Sequence, residues 1–299
     1  MRRIPSLLSA LAIPLLCLGS AVSGEPRIER DVFQFRDGGH AIYYEAGVPA
    51  DDAKTLVFVY GGTGCYSWKQ MAPQIAMELG TSTRVVALNK RGVSDEDARL
   101  TGCSEEFDQQ DVPRQWVADY MEFLTAKLSD KPGSARNIVL LGVSEGGALA
   151  ARVARSRSDI THLLVIGDGG WSMRDNLSYL IGRDEVEGAW RNIAADPNNT
   201  DRTWLGRPYR YWFDILDQEP MLDYLALDIP VLVAMGERDA SVPAHSAAAI
   251  RTEAERAGKK NIGVVIYPGA DHRLQADGHA YRSEFLRGAA QGISRGKLD

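Results

Sequence analysis

Asn137-Ile-Val-Leu-Leu-Gly-Val-Ser-Glu-Gly-Gly-Ala148 is the stretch that decides the fold. From Asn137 to Val143 it is a continuous apolar run of buried-strand length, and it ends in Gly142-Val-Ser-Glu-Gly146. Beyond it, Ala148, Leu149, Ala151, Val153 and Ala154 continue as a helix-forming, small-residue face that can pack closely on a sheet. A serine at such a strand-to-helix turn is held in a strained backbone conformation, and its neighbours must be nearly free of side chains, which Gly142 and Gly146 supply. Ser144 is therefore the candidate nucleophile. A glycine-rich turn without chemistry would carry the same letters, so the partners elsewhere in the chain have to separate the two readings.

Outward from this strand the same rhythm recurs. Val32 to Phe35 and Ala41 to Tyr44 alternate around Asp37-Gly-Gly39, as an antiparallel hairpin does. Thr55 to Tyr60, Arg84 to Leu88, Thr161 to Ile166 and Ile229 to Met235 are apolar on both faces, and Ile262 to Tyr267 is the last strand. Helical spacing fills Trp68 to Leu79, Val112 to Leu128, Glu145 to Arg155 and His279 to Gln291. The alternation predicts an α/β fold with a mainly parallel sheet. Residues 171–226, rich in Trp, Tyr, Arg and Asp, show no strand pattern and read as a helical cap on a core of residues 24–170 and 227–299. The cap aromatics, among them Trp171, Tyr179, Trp190, Trp204, Tyr209, Tyr211 and Trp212, could line a pocket or pack the cap onto the core, and core packing is the expected fate of most.

A serine hydroxyl needs a general base, itself oriented by a buried carboxylate. Of five histidines, His272 is best placed, on the loop at the carboxyl end of the final strand, where such sheets gather their ligands. His162 opens a strand at the wrong end, His40 sits in the hairpin, and His245 and His279 fall on expected surface helices. Asp239, on the loop after Val231 to Met235, is the candidate acid; Glu237, Asp168 and Asp271 are the competitors, Asp271 as a loop cap. An oxyanion would need two donors. One is the backbone N–H of Glu145 at the first turn of a helix, and the other comes from Gly61-Gly-Thr-Gly64, at Gly62 or Thr63.

The net charge of −6 and the lack of any Lys/Arg block argue against nucleic acid as a partner and fit a soluble enzyme acting on a small molecule. Residues 1–23 read as a signal peptide: Arg2 and Arg3, then the apolar run Leu7 to Leu18, then a small-residue cleavage site near Ser23. The apolar run is short for a membrane span and is broken by Pro14, so export to a periplasmic or extracellular space, without stable membrane association, is expected. Cleavage removes Cys17 and leaves Cys65 and Cys103, which fit either one disulfide or two buried thiols.

With Gly61-Gly-Thr-Gly64, Asn89-Lys-Arg-Gly92, Gly142-Val-Ser-Glu-Gly146, Gly236-Glu-Arg-Asp239 and Gly269-Ala-Asp-His272 in this order, the chain resembles the α/β-hydrolase superfamily. The resemblance implies an eight-stranded, mostly parallel sheet flanked by helices, a cap inserted after the sixth strand, no cofactor or metal, and a triad of Ser144, Asp239 and His272. It also implies a Cys65–Cys103 disulfide bracing the oxyanion loop. Two departures blur the subfamily: Tyr60-Gly61 stands where many members have His-Gly, and Arg91-Gly-Val-Ser94 replaces the common Arg-Gly-x-Gly-x-Ser. A carboxylic esterase is the leading expectation. An aminopeptidase of the proline iminopeptidase type would need cap carboxylates such as Glu185, Glu187 or Glu219 to hold a free amino terminus, and a non-catalytic hydrolase-like ligand-binding protein is the third reading. Haloalkane and epoxide chemistry is disfavoured, because those relatives use Asp where this chain has Ser144.

Overall fold

A computed structural model describes residues 27–99, 102–129 and 135–298; the leader expected over residues 1–23 lies outside them. Eight strands form the main sheet: β1 (Ile28–Gln34), β2 (His40–Gly47), β3 (Thr55–Tyr60), β4 (Thr83–Leu88), β5 (Asn137–Val143), β6 (His162–Ile166), β7 (Val231–Gly236) and β8 (Ile262–Tyr267). They lie in the order β1-β2-β4-β3-β5-β6-β7-β8. The two junctions made by β2 are antiparallel and the other five parallel. Strands β3 and β4 are buried throughout because their side chains alternate between two covered faces. Val57, Val59, Val85, Ala87, Val139 and Leu141 face one layer of core, and Phe58, Tyr60, Val86, Leu88 and Leu140 face the other.

Helices α1 (Met71–Leu79), α2 (Glu105–Gln110), α3 (Pro113–Ser129), α4 (Gly146–Arg155), α5 (Met173–Ile181), α6 (Arg183–Ala195), α7 (Tyr209–Ile215), α8 (Pro220–Leu225), α9 (Ala244–Arg256) and α10 (Tyr281–Arg295) complete the described structure. Helices α1 and α10 cover one face through Ile75, Leu79, Phe285 and Leu286. Helices α3, α4 and α9 cover the other through Phe123, Leu149 and Ile250. Between β6 and β7 the chain leaves the sheet for α5 to α8. There Ile193, Tyr211, Trp212, Ile215 and Leu216 build a small core of their own.

Several boundaries depart from the sequence reading. Helix α1 begins at Met71, three residues after Trp68, whose N–H donates to Asn89 Oδ1 at 3.0 Å. The last helix begins at Tyr281, since His279-Ala280 pairs with Gln275-Ala276 as a short hairpin. His279 is thus not helical; its ring meets Tyr281 and Glu284. Strand β7 starts at Val231, one residue after Pro230, which has no N–H to give a ladder. Residues 171–226 do contain a strand pair, Thr203-Trp204 with Arg207-Pro208, too short to leave an alternating pattern.

Candidate active site

At the end of β5 the chain turns sharply at Ser144, whose φ of 53° lies in the left-handed region. For a non-glycine residue this costs on the order of 1 kcal/mol and persists only where the surroundings enforce it. Here the Ser144 N–H donates to the carbonyl of Ile166 at 2.7 Å, and its own carbonyl accepts from Gly147 N–H at 2.7 Å. The turn is packed too tightly for a side chain two residues before or after the serine. A Cβ on Gly142 would come within 2.5 Å of the Gly146 carbonyl oxygen, and one on Gly146 within 2.6 Å of that of Gly61. Ser144 is half-buried at the carboxyl end of the sheet.

Two further loops converge there. His272, after β8, brings Nδ1 to 2.7 Å from Asp239 Oδ2 after β7. Asp239 Oδ1 accepts the N–H groups of Ser241 at 2.8 Å and Val242 at 2.9 Å, so the buried carboxylate is clamped on both oxygens. An imidazole held at Nδ1 by such an acceptor presents Nε2 as its free nitrogen. Its ring lies over Gly167, where an added Cβ would sit 3.1 Å from His272 Cε1, directly after the residue that holds Ser144 N–H. Among the described residues Ser144 Oγ makes no hydrogen bond. Serine–base hydrogen bonds are often long in unliganded enzymes and tighten with substrate.

The competing carboxylates are engaged elsewhere. Glu237 Oε2 accepts from Gly269 N–H at 2.8 Å, and Asp271 Oδ1 caps its own loop through Arg273 and Gln275 N–H at 2.8 and 3.0 Å. His162 is buried, its Nδ1 2.8 Å from Thr161 Oγ1, and burial lowers its pKa. Asp168 lies buried at the end of β6, where burial pushes its carboxyl up to about 7. Its unfolded value is about 4, so between the two pH values the folded state alone holds the proton and stability falls as pH rises. The cost of ionising it in place is absent below that window and complete above it, on the order of 4 kcal/mol. Asp168→Asn is expected to flatten this decline in urea melts followed from pH 4 to 8; parallel profiles for variant and wild type would overturn the assignment.

The glycine loop after β3 closes the other side. Gly62 sits so near the turn that a Cβ there would come within 2.8 Å of Ser144 Cβ. Thr63 Oγ1 donates to Glu145 Oε2 at 2.7 Å, and the hydroxyl of Tyr211, from α7, donates to the same oxygen at 2.9 Å. Immediately beyond, Cys65 is disulfide-bonded to Cys103 with Cα atoms 5.9 Å apart, settling the choice the cysteine count left open. Sequence reasoning missed the Glu145 carboxylate; a charged side chain between a buried turn and a small-residue helix was its one visible signal. No group of three or more His, Cys, Asp and Glu is placed to hold a metal ion among the described residues.

The fold resembles the acylaminoacyl peptidase of Pyrococcus horikoshii at a TM-score of 0.62 and 16% identity, over 92% of this chain and 42% of the peptidase. The chain thus spans about two fifths of that protein. The Pyrococcus furiosus esterase Pf2001 superposes at 0.59 with 12% identity, over 90% of this chain and 91% of its own. Est1E from Butyrivibrio proteoclasticus does so at 0.57 with 15% identity, over 91% and 98%. At these identities the likeness is one of fold. No curated protein matches the chain in sequence. The sequence profile of the alpha/beta hydrolase family, however, matches residues 56–284, from β3 into α10 and across every strand that carries a candidate side chain, so the chain belongs to the alpha/beta hydrolase family.

Proposed function

We propose that the protein is a serine hydrolase that cleaves carboxylic esters through an acyl-enzyme. The observation that carries this reading is the clamped Asp239–His272 pair, 2.7 Å apart, on loops that flank a serine at a strained turn. Ser144 Oγ attacks the ester carbonyl as His272 Nε2 takes its proton, giving a tetrahedral oxyanion. The backbone N–H groups of Glu145 and of Gly62 or Thr63 hold that oxyanion. His272 then hands the proton to the departing alcohol, and water, activated by the same imidazole, releases the acid and restores Ser144. Asp239 holds the ring and stabilises the imidazolium.

Residues 171–226 serve as the cap over this site. An ester is favoured over a peptide with a free amino terminus because the cap carboxylates suited to hold one are otherwise disposed. Glu187 is paired with Arg174 at 3.1 Å, and Glu185 and Glu219 are exposed. Export is part of the proposal, supported by the leader pattern and by a disulfide that suits an oxidising compartment. No helix among the described residues is long and apolar enough to cross a membrane.

The test is reaction of the mature protein with a fluorophosphonate probe, followed by peptide mass spectrometry and a panel of aryl esters and amino-acyl arylamides. Labelling at Ser144 with faster turnover of the esters is expected. A folded protein that takes no label would favour a ligand-binding role, and preference for the arylamides would favour the aminopeptidase.

A further inference from the structure

We infer that the Glu145 carboxylate is a positioning residue through which Tyr211, from the helices between β6 and β7, fixes the geometry of the oxyanion hole. This rests on the serine-hydrolase reading above. The two proposed oxyanion donors belong to separate pieces of chain, the turn at Glu145 and the loop at Gly62-Thr63. That loop, two glycines followed by a threonine and a third glycine, has little conformational preference of its own. What joins its threonine to the turn is one carboxylate oxygen, Glu145 Oε2, which accepts from Thr63 Oγ1 and from Tyr211 Oη. Those partners are 82 and 66 residues away in sequence, so the oxygen ties three distant segments at one point.

The carboxylate is enclosed by protein. Glu145 is 3% exposed, and its other oxygen has no hydrogen-bond partner among the described residues. Lys90, from the Asn89-Lys-Arg-Gly92 motif, is buried beside it with its ammonium also lacking a hydrogen bond, against the ring of Trp116 and 3.7 Å from Asp111. Burial lowers the Lys90 pKa well below its ordinary range, and the Glu145 charge opposes that. Arg207 pairs with Asp111 in the same buried cluster. One carboxylate oxygen has lone pairs for both hydroxyl donors, and holding them in a dry site gives a single geometry to the loops it joins.

The side chains in this link touch none of the reacting atoms, so their removal is expected to act on kcat. Tyr211→Phe deletes one hydroxyl and keeps the ring against Trp212 and Arg207. It is expected to slow both ester turnover and fluorophosphonate labelling about tenfold, with KM and melting temperature little changed. Thr63→Val is expected to do the same and Thr63→Ser, which keeps the hydroxyl, to lose less than Thr63→Val. The double variant should lose less than the product of the single losses, because both bonds act through one oxygen. Wild-type kcat and labelling in Tyr211→Phe and Thr63→Val would overturn the inference alone, as would losses that track melting temperature or KM. A wild-type protein that takes no label would overturn the serine-hydrolase reading and this inference together.

Discussion

Ser144→Ala is expected to lower kcat for ester hydrolysis by about a millionfold, the loss typical of removing the nucleophile from a serine–histidine unit. Alanine inherits the φ of 53° and the hydrogen bonds that enforce it, since all of these are made by backbone atoms. The melting temperature should therefore move little while the chemistry is lost. His272→Ala should cost about as much, and the double variant no more than either, because serine and base act as a unit. Asp239→Asn leaves the loop clamped but offers the imidazole a donor as readily as an acceptor, and should cost about ten-thousandfold. Single-turnover hydrolysis of an activated ester measures all four. A Ser144→Ala protein that keeps more than about a hundredth of wild-type activity would exclude Ser144 as the nucleophile, whatever the fold.

Which parts of this site were legible depends on how far apart the interacting residues lie. Strand β5 could be read because a strand buried on both faces must be apolar throughout, and the turn at Ser144 because only glycine fits two residues to either side of it. Asp239 and His272 are candidates by position, as polar residues on loops after the last two parallel strands, and by the family resemblance, and the structure brings their side chains into contact. The start of α1 falls three residues later than the spacing predicts, because helical spacing marks a face and not the residue at which a turn becomes a helix. The Glu145 link was invisible for a stronger reason. Its three members are separated by three strands of the main sheet and several helices, and no local periodicity encodes a contact between them. The cysteines were intermediate: their number limited the choice, but only a Cα separation of 5.9 Å decided it.

Loss of that disulfide is expected to have the largest effect on stability. The bond joins residues 38 apart, and closing a loop of that length removes enough freedom from the unfolded chain to stabilise the fold by about 4 kcal/mol. For a chain of this size that corresponds to a fall in melting temperature of about 10 °C in a Cys65→Ala/Cys103→Ala variant. The effect should also reach the chemistry. Cys65 directly follows Gly64, pairs with Arg99 in a two-residue ladder, and leads to Ser67, whose N–H donates to the Asp97 carbonyl at 2.8 Å. These contacts and the cross-link anchor the carboxyl end of the Gly61 to Gly64 loop, while β3 anchors its start. With one anchor weakened, the loop donor spends less time facing Ser144, so kcat should fall by about tenfold at temperatures where the variant remains folded. Reductant supplies the internal control: it should shift the wild-type melt and rate towards those of the variant and leave the variant itself unchanged. Equal melting temperatures with and without reductant would show that this cross-link does not stabilise the fold. A shifted melt with an unchanged rate would show that the fold alone, and not the loop beside Ser144, depends on it.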